Sequence, residues 1–207
     1  LFSYNNPITH ISPKAFNNGA GYSATEFNGN IYFALSTGLQ WLPLSNSESI
    51  SSSTVQPQTV IDGLTWNVSN VGDQLLAGRD DGLWKIENRK ASLVSGTSGY
   101  WGSRLMAGTT TALVAAGNYS GIEKYSSSQG KLVRMGSVKN FTESSRYIET
   151  DAGNLWVSHP YRGIYKIDVA TDNVTLFTKK DGLPDDLNNH VFKIKERIVF
   201  ATIAGIY

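Results

Sequence analysis

Five glycines, Gly38, Gly82, Gly121, Gly163 and Gly205, divide the chain at steps of 44, 39, 42 and 42 residues. Each follows a polar turn and precedes an apolar run, within Asn30–Leu44, Gln74–Glu87, Thr111–Ser126, Asn154–Asp168 and Arg197–Tyr207. The fourth unit shows the pattern most fully. Asn154-Leu155-Trp156-Val157-Ser158 is a short apolar strand, His159-Pro160-Tyr161-Arg162 a turn, and Gly163-Ile164-Tyr165-Lys166-Ile167-Asp168 a second strand with apolar residues at alternate positions. Such a unit is a β-hairpin with a buried face. Hairpins recurring at a period near forty residues are the signature of β-propeller blades.

Composition agrees. Charged residues make up 17% of the 207 positions, below the roughly 25% of an average soluble protein. Ser, Thr, Asn and Gly, the turn formers, fill the difference. The formal net charge of +1 is spread over interleaved signs, with no basic stripe to neutralise phosphates, so nucleic-acid binding is not expected. No cysteine is present, which removes disulfides, thiolate metal sites and a cysteine nucleophile. No apolar run approaches the roughly 18 residues that span a bilayer, so no membrane segment is expected.

Repeats are expected at about 22–60, 65–95, 103–136, 145–178 and 190–207, with residues 1–207 forming one propeller domain. Asn28-Gly29 marks a tight hairpin, since both residues accept positive φ. Ile31–Leu35 is apolar at every position, as suits a strand covered on both faces. Ile8–Ile11 is a further strand candidate, Ser45–Thr54 reads as a serine-rich loop, and no helix of ten residues is expected. Leu1 reads as the start of a processed or trimmed chain, and Tyr207 falls inside a strand. The expected fold is therefore all-β, a partial propeller of four-stranded antiparallel blades, four plus the start of a fifth, and a fragment of a larger propeller. Its open edge would expose backbone and apolar faces, so self-association as a homodimer, or further residues completing the ring, is expected.

Signals of chemistry are sparse. His10, His159 and His190 have no partner histidine at zinc-ligand spacing, so neither a metal nor a cofactor is expected. Gly117-Asn118-Tyr119-Ser120-Gly121 has the wrong spacing for a nucleophile elbow. Asp80-Asp81 and Asp185-Asp186 are adjacent turn carboxylates, whereas glycosidase acids converge from separate elements. No catalytic residue is assigned.

Binding is the better case. Propeller partners usually meet one face, built from hairpin turns and from the loops that link successive blades. Those segments supply Arg79, Tyr100, Trp101, Tyr119, Arg146, His159, Tyr161, Arg162, Asn189 and His190 as candidate ligand contacts. Aromatic rings with Arg, Asn and His suit an oligosaccharide or another small molecule, by stacking and bidentate hydrogen bonds. For any single one of them the simpler reading is an ordinary polar turn residue. Aligning repeats four and five sets Ser145-Arg146 opposite Asn189-His190. Trp84, Tyr125, Trp156 and Tyr165 read as packing between blades.

Two stretches carry a resemblance. Asp181-Gly182-Leu183-Pro184-Asp185-Asp186-Leu187-Asn188-Asn189-His190-Val191 and Asp151-Ala152-Gly153-Asn154-Leu155-Trp156-Val157 resemble the repeat signature of two-component regulator propellers, which build extracytoplasmic sensor regions of Bacteroidetes-type regulators. The opening Pro7-Ile8-Thr9-His10-Ile11-Ser12-Pro13-Lys14 is similar to the branch that carries a triple-tyrosine module and a LuxR-type or histidine-kinase output. Repeats one to three lack Gly-Leu-Pro. The resemblance implies a periplasmic, non-catalytic sensing region of a bacterial signal-transduction regulator, with a carbohydrate or related nutrient as ligand. Two other readings remain: a protein-interaction scaffold of the WD-repeat kind, and a propeller-fold polysaccharide lyase or glycosidase.

Overall fold

The computed structural model describes residues 12–45, 56–106 and 112–207. The strand candidate Ile8–Ile11, His10 and nearly all of Ser45–Thr54 lie outside the described residues. The first sheet holds β1 (Gly21–Phe27), β2 (Asn30–Leu35), β3 (Gly38–Pro43) and β4 (Gln58–Asp62). The second holds β5 (Thr65–Val71), β6 (Gln74–Arg79), β7 (Gly82–Glu87) and β8 (Lys90–Ser95). The third holds β9 (Gly102–Leu105), β10 (Leu113–Asn118), β11 (Gly121–Ser128) and β12 (Lys131–Ser137). The fourth holds β13 (Tyr147–Asp151), β14 (Asn154–His159), β15 (Gly163–Asp168) and β16 (Asn173–Phe177). The fifth has three strands, β17 (His190–Ile194), β18 (Arg197–Thr202) and β19 (Gly205–Ile206).

Every sheet is an antiparallel meander in chain order. The first strand of each sheet lies beside the first strand of the next, β1 by β5, β5 by β9, β9 by β13 and β13 by β17. That arrangement is a propeller of five blades, four of them four-stranded. No α-helix occurs among the described residues; the 3-10 segments include Pro13–Phe16 and Lys179–Asp181.

The unbroken apolar strands follow from this stacking. Successive side chains of a strand point to opposite faces, and a middle blade has a neighbour on each. In β6, Leu75 and Ala77 pack with Tyr32, Ala34 and Trp41 of blade one, while Leu76 packs with Val114, Ala116 and Tyr125 of blade three. In β14, Leu155 and Val157 meet Ala115 and Ile122 of blade three, and Trp156 meets Phe200 of blade five, ring centroids 5.4 Å apart. Blade one has no preceding blade among the described residues. The segment Pro13–Phe16 covers it instead, with Phe16 packed on Phe33. Tyr125 and Tyr165 are buried between blades, as expected.

The repeat glycine answers two local demands. Gly121 has φ +150° and Gly163 φ +96°. A Cβ on Gly121 would lie 2.9 Å from the carbonyl oxygen of Phe141, and one on Gly163 would overlap that of Phe177. The third strand thus begins against a carbonyl at the end of the blade's fourth strand, as at Gly163, or just beyond it, as at Gly121. Asn28-Gly29 has positive φ at both residues, 48° and 70°, the pattern of a type I′ hairpin turn.

Gly182-Leu183-Pro184 has a packing role. Leu183 and Pro184 form an apolar wall with Trp156, Phe177 and Phe200 at the junction of blades four and five. Around them, Asp181 caps Thr178, Asp186 accepts from the Lys179 backbone N–H and through its carbonyl from Gly163 N–H, and Asp185 accepts from Leu187 N–H. These carboxylates order the loop between β16 and β17.

Candidate functional site at the axis

The first strands of the blades start at one end of a common axis. In each blade one residue pairs with the penultimate residue of the second strand: Ser23 with Ala34, Asn67 with Gly78, Gly102 with Gly117, Tyr147 with Ser158 and His190 with Ala201. The residues just before them are therefore equivalent, and they are Tyr22, Trp66, Trp101, Arg146 and Asn189. Tyr22 and Trp66 each sit in a register shift, between Gly21 and Ser23 and between Thr65 and Asn67. Such bulges re-aim a side chain.

This register corrects the sequence alignment. Arg146 stands opposite Asn189, and Tyr147 opposite His190, one residue from the expected pairing. The turn before Gly163 has three residues, Pro160-Tyr161-Arg162, and the turn before Gly205 has two, Ile203-Ala204. That difference offsets the two repeats by one position, not two.

The equivalent side chains form a rail. Tyr22 lies 5.0 Å from Trp66 and Trp66 lies 4.9 Å from Trp101, between ring centroids. The Arg146 guanidinium sits 5.1 Å from the Trp101 ring and 5.3 Å from that of Tyr147. Tyr147 in turn stacks on His190 at 4.3 Å with an interplanar angle of 24°. Indole N–H groups fix the rings: Trp66 donates to the Tyr119 hydroxyl at 3.1 Å, and Trp101 to Ser144 Oγ at 2.9 Å. Tyr119 also packs on Trp101 and donates to Asp80. Between these walls is a cavity of about 180 Å³ lined by the first strands of all five blades.

Its electrostatics are simple. Glu149, the one carboxylate in the lining, is held by Arg104 through two 3.0 Å bonds. Bidentate pairing of this kind fixes geometry as well as charge. Burial, and secondarily the nearby Arg146 charge, lower the His190 pKa, so its imidazole is neutral at pH 7 and offers one donor and one acceptor.

The other sequence candidates lie away from this cavity. Arg79 is buried, its guanidinium bound to Asp81 and to the carbonyls of Asp62 and Gly63. Tyr100 is fully buried, and its hydroxyl donates to Glu123. Asn189 is fully buried and donates to the Asp185 carbonyl. His159 and Arg162 both reach Glu143, at 3.5 and 2.8 Å, on the turn beside exposed Tyr161. Burial lowers the His159 pKa, overriding the opposing pull of Glu143. Thus Trp101, Arg146 and His190, with Tyr119 behind them, are brought together. Tyr22, Trp66, Tyr147 and Glu149 complete the site and were not singled out from sequence. Among the described residues, no group of three or more His, Asp or Glu could hold a metal ion.

No protein-family profile matches the chain, and no curated protein matches it in sequence. Solved structures do. The extracellular domain described as that of a hybrid two-component system of B. thetaiotaomicron matches 90% of the chain with TM-score 0.65 at 16% identity. A second such domain from the same organism matches 90% with TM-score 0.64 at 17% identity. The CNH domain of AfRom2 matches 88% with TM-score 0.64 at 11% identity. The chain spans 26% and 28% of the two sensor domains and 65% of the CNH domain. Likeness at these identities establishes the β-propeller fold.

Proposed function

We propose that this chain is a non-catalytic ligand-sensing propeller region of a bacterial signal-transduction regulator, recognising a carbohydrate at the axial cavity. The carrying observation is the rail itself: four consecutive blades place Tyr22, Trp66, Trp101 and Arg146 at one equivalent position beside a common cavity. Aromatic faces supply stacking, and Arg146, Arg104 and Asn67 supply hydrogen bonds for ring hydroxyls. Glu149 is the single carboxylate of the lining and is paired with Arg104, so the cavity lacks the two convergent carboxylates of a glycosidase, which supports recognition. The likeness to extracellular sensor domains supports a periplasmic location. In this reading the signal passes to an output domain elsewhere in the protein, through a change in how two copies associate.

Thermal shift and intrinsic tryptophan fluorescence against a broad glycan panel test the proposal. A hit should raise the melting temperature saturably and perturb the emission. Trp101→Ala should weaken it about fivefold or more, since one aromatic contact contributes on the order of 1 kcal/mol beyond area burial. An unresponsive panel, or a hit unaffected by Trp101→Ala, sinks the axial assignment.

A further inference from the structure

A second and larger cavity, about 540 Å³, opens at the opposite end of the blades, where the β1–β2, β5–β6, β7–β8 and β11–β12 turns meet. Its volume lies within the range of small-molecule sites. We propose that it is a binding site for a neutral, hydroxyl-rich small molecule of mono- to disaccharide size, independent of the axial cavity.

Three observations carry this. The first is Gln74, in the cavity wall and only 3% exposed. Its Nε2 donates to Ser127 Oγ at 2.7 Å, but its Oε1 has no hydrogen-bond partner. A buried carboxamide atom left unmatched is costly, and exchanging O for N would move the deficit without removing it. The terminal torsion of glutamine is soft, so a modest turn of the amide presents the unmatched atom to a ligand hydroxyl.

The second observation is charge. Asp73 and Glu87 balance Lys85 and Arg89 in the wall. Lys85 is already engaged, by Glu87 at 3.2 Å and by the Gly130 carbonyl at 2.8 Å. The Arg89 guanidinium lies 4.3 Å from the Trp41 ring centroid. With two charges of each sign the wall carries no net charge, so it offers an anion no advantage over a neutral guest. The third is the rest of the wall: the side chains of Asn28, Asn30 and Asn88, with the rings of Phe27 and Tyr32. Carboxamides that both donate and accept, beside aromatic carbon, match alcohol groups on a ring and match poorly an apolar guest.

Amide NMR of the ¹⁵N-labelled protein reads both sites at once. The neutral probes are maltose and myo-inositol, and the charged controls are glucosamine and glucuronate. The expected result is a saturable shift of the Asn28, Gln74 and Asn88 side-chain amides with a neutral probe, the Trp66 and Trp101 indole signals staying fixed. Gln74→Leu should weaken that binding at least tenfold. Asp73→Ala, a change at an exposed turn position, should weaken it severalfold and guards against a Gln74 variant that fails to fold. Absence of saturable shifts with both neutral probes, or shifts with the charged controls alone, overturns the proposal. So do shifts confined to the indoles, which would support the axial reading while removing this one.

Discussion

Glu123→Ala is expected to destabilise the fold by about 4 kcal/mol, the scale seen when a buried hydrogen-bonded charge network loses its acceptor. Glu123 on β11 is 5% exposed and accepts hydrogen bonds from the hydroxyls of Tyr100 and Tyr125, both essentially inaccessible to solvent. Arg134 approaches it at 3.1 Å from β12. Tyr100 lies on the link from blade two to blade three, so one carboxylate fastens that crossing to the third sheet. Removing it leaves the two buried hydroxyls only each other and Ser95 Oγ as partners, takes the carboxylate from Arg134 and opens a void. Burial alone would raise the Glu123 pKa, but the bonds from Tyr100, Tyr125 and Arg134 together hold it below its ordinary 4.5. A carboxylate depressed on folding stabilises the native state above its unfolded pKa. That contribution is lost as pH falls from about 4.5 through the folded value. Urea unfolding should therefore show a midpoint that drops in this window for the wild type and drops less for Glu123→Gln. Tyr125→Phe should cost about 1 to 2 kcal/mol, since Tyr100 and Arg134 still bind the carboxylate. Equal midpoints for Glu123→Ala and wild type at pH 7 would remove the network from the stability argument.

The blade period was legible because glycine at that point is demanded by positive φ in all five blades, and in the four four-stranded blades also by a close carbonyl, so its spacing marks the fold directly. The two-sided burial of β2 was legible for a similar reason: a strand covered on both faces has no polar alternation to lose. The axial rail was only half legible. Trp101, Arg146 and His190 announce themselves as aromatic and polar residues at loop ends. Tyr22 and Trp66 join them because of bulges in β1 and β5, and local irregularities of pairing leave no periodic trace. The register of blade four against blade five depended on one extra turn residue between His159 and Gly163. Burial of polar groups was also hidden. Arg79 and Tyr100 stand in turn and link segments by sequence, and their burial depends on partners elsewhere in the chain. For Arg79 these are the carbonyls of Asp62 and Gly63, and for Tyr100 the carboxylate of Glu123. The rim cavity at Gln74 gave no signal, since four turns from three blades build it.

Gly163→Ala and Gly153→Ala form a matched pair that separates backbone strain from collision. Their φ angles are nearly the same, +96° and +91°, so the conformational penalty of a Cβ is shared, on the order of 1 to 2 kcal/mol. Around Gly153 nothing lies within 4 Å of the added methyl, whereas at Gly163 it would overlap the Phe177 carbonyl oxygen. Backbone cannot swing aside as a flexible side chain does. To accommodate the methyl, β16 would have to part from β15 at the Ile164–Phe177 pair, which also frees the Leu183–Pro184 wall between blades four and five. Gly153→Ala should then lower stability by about 1 to 2 kcal/mol with an unchanged fold, and Gly163→Ala by about 4 kcal/mol or more. Amide exchange should additionally show β16 losing protection at Gly163→Ala while β6 keeps it. If the two substitutions cost the same, the glycine period reflects turn conformation alone. The close approach of the fourth strand would then not be what fixes a glycine at the head of the third strand in blade four.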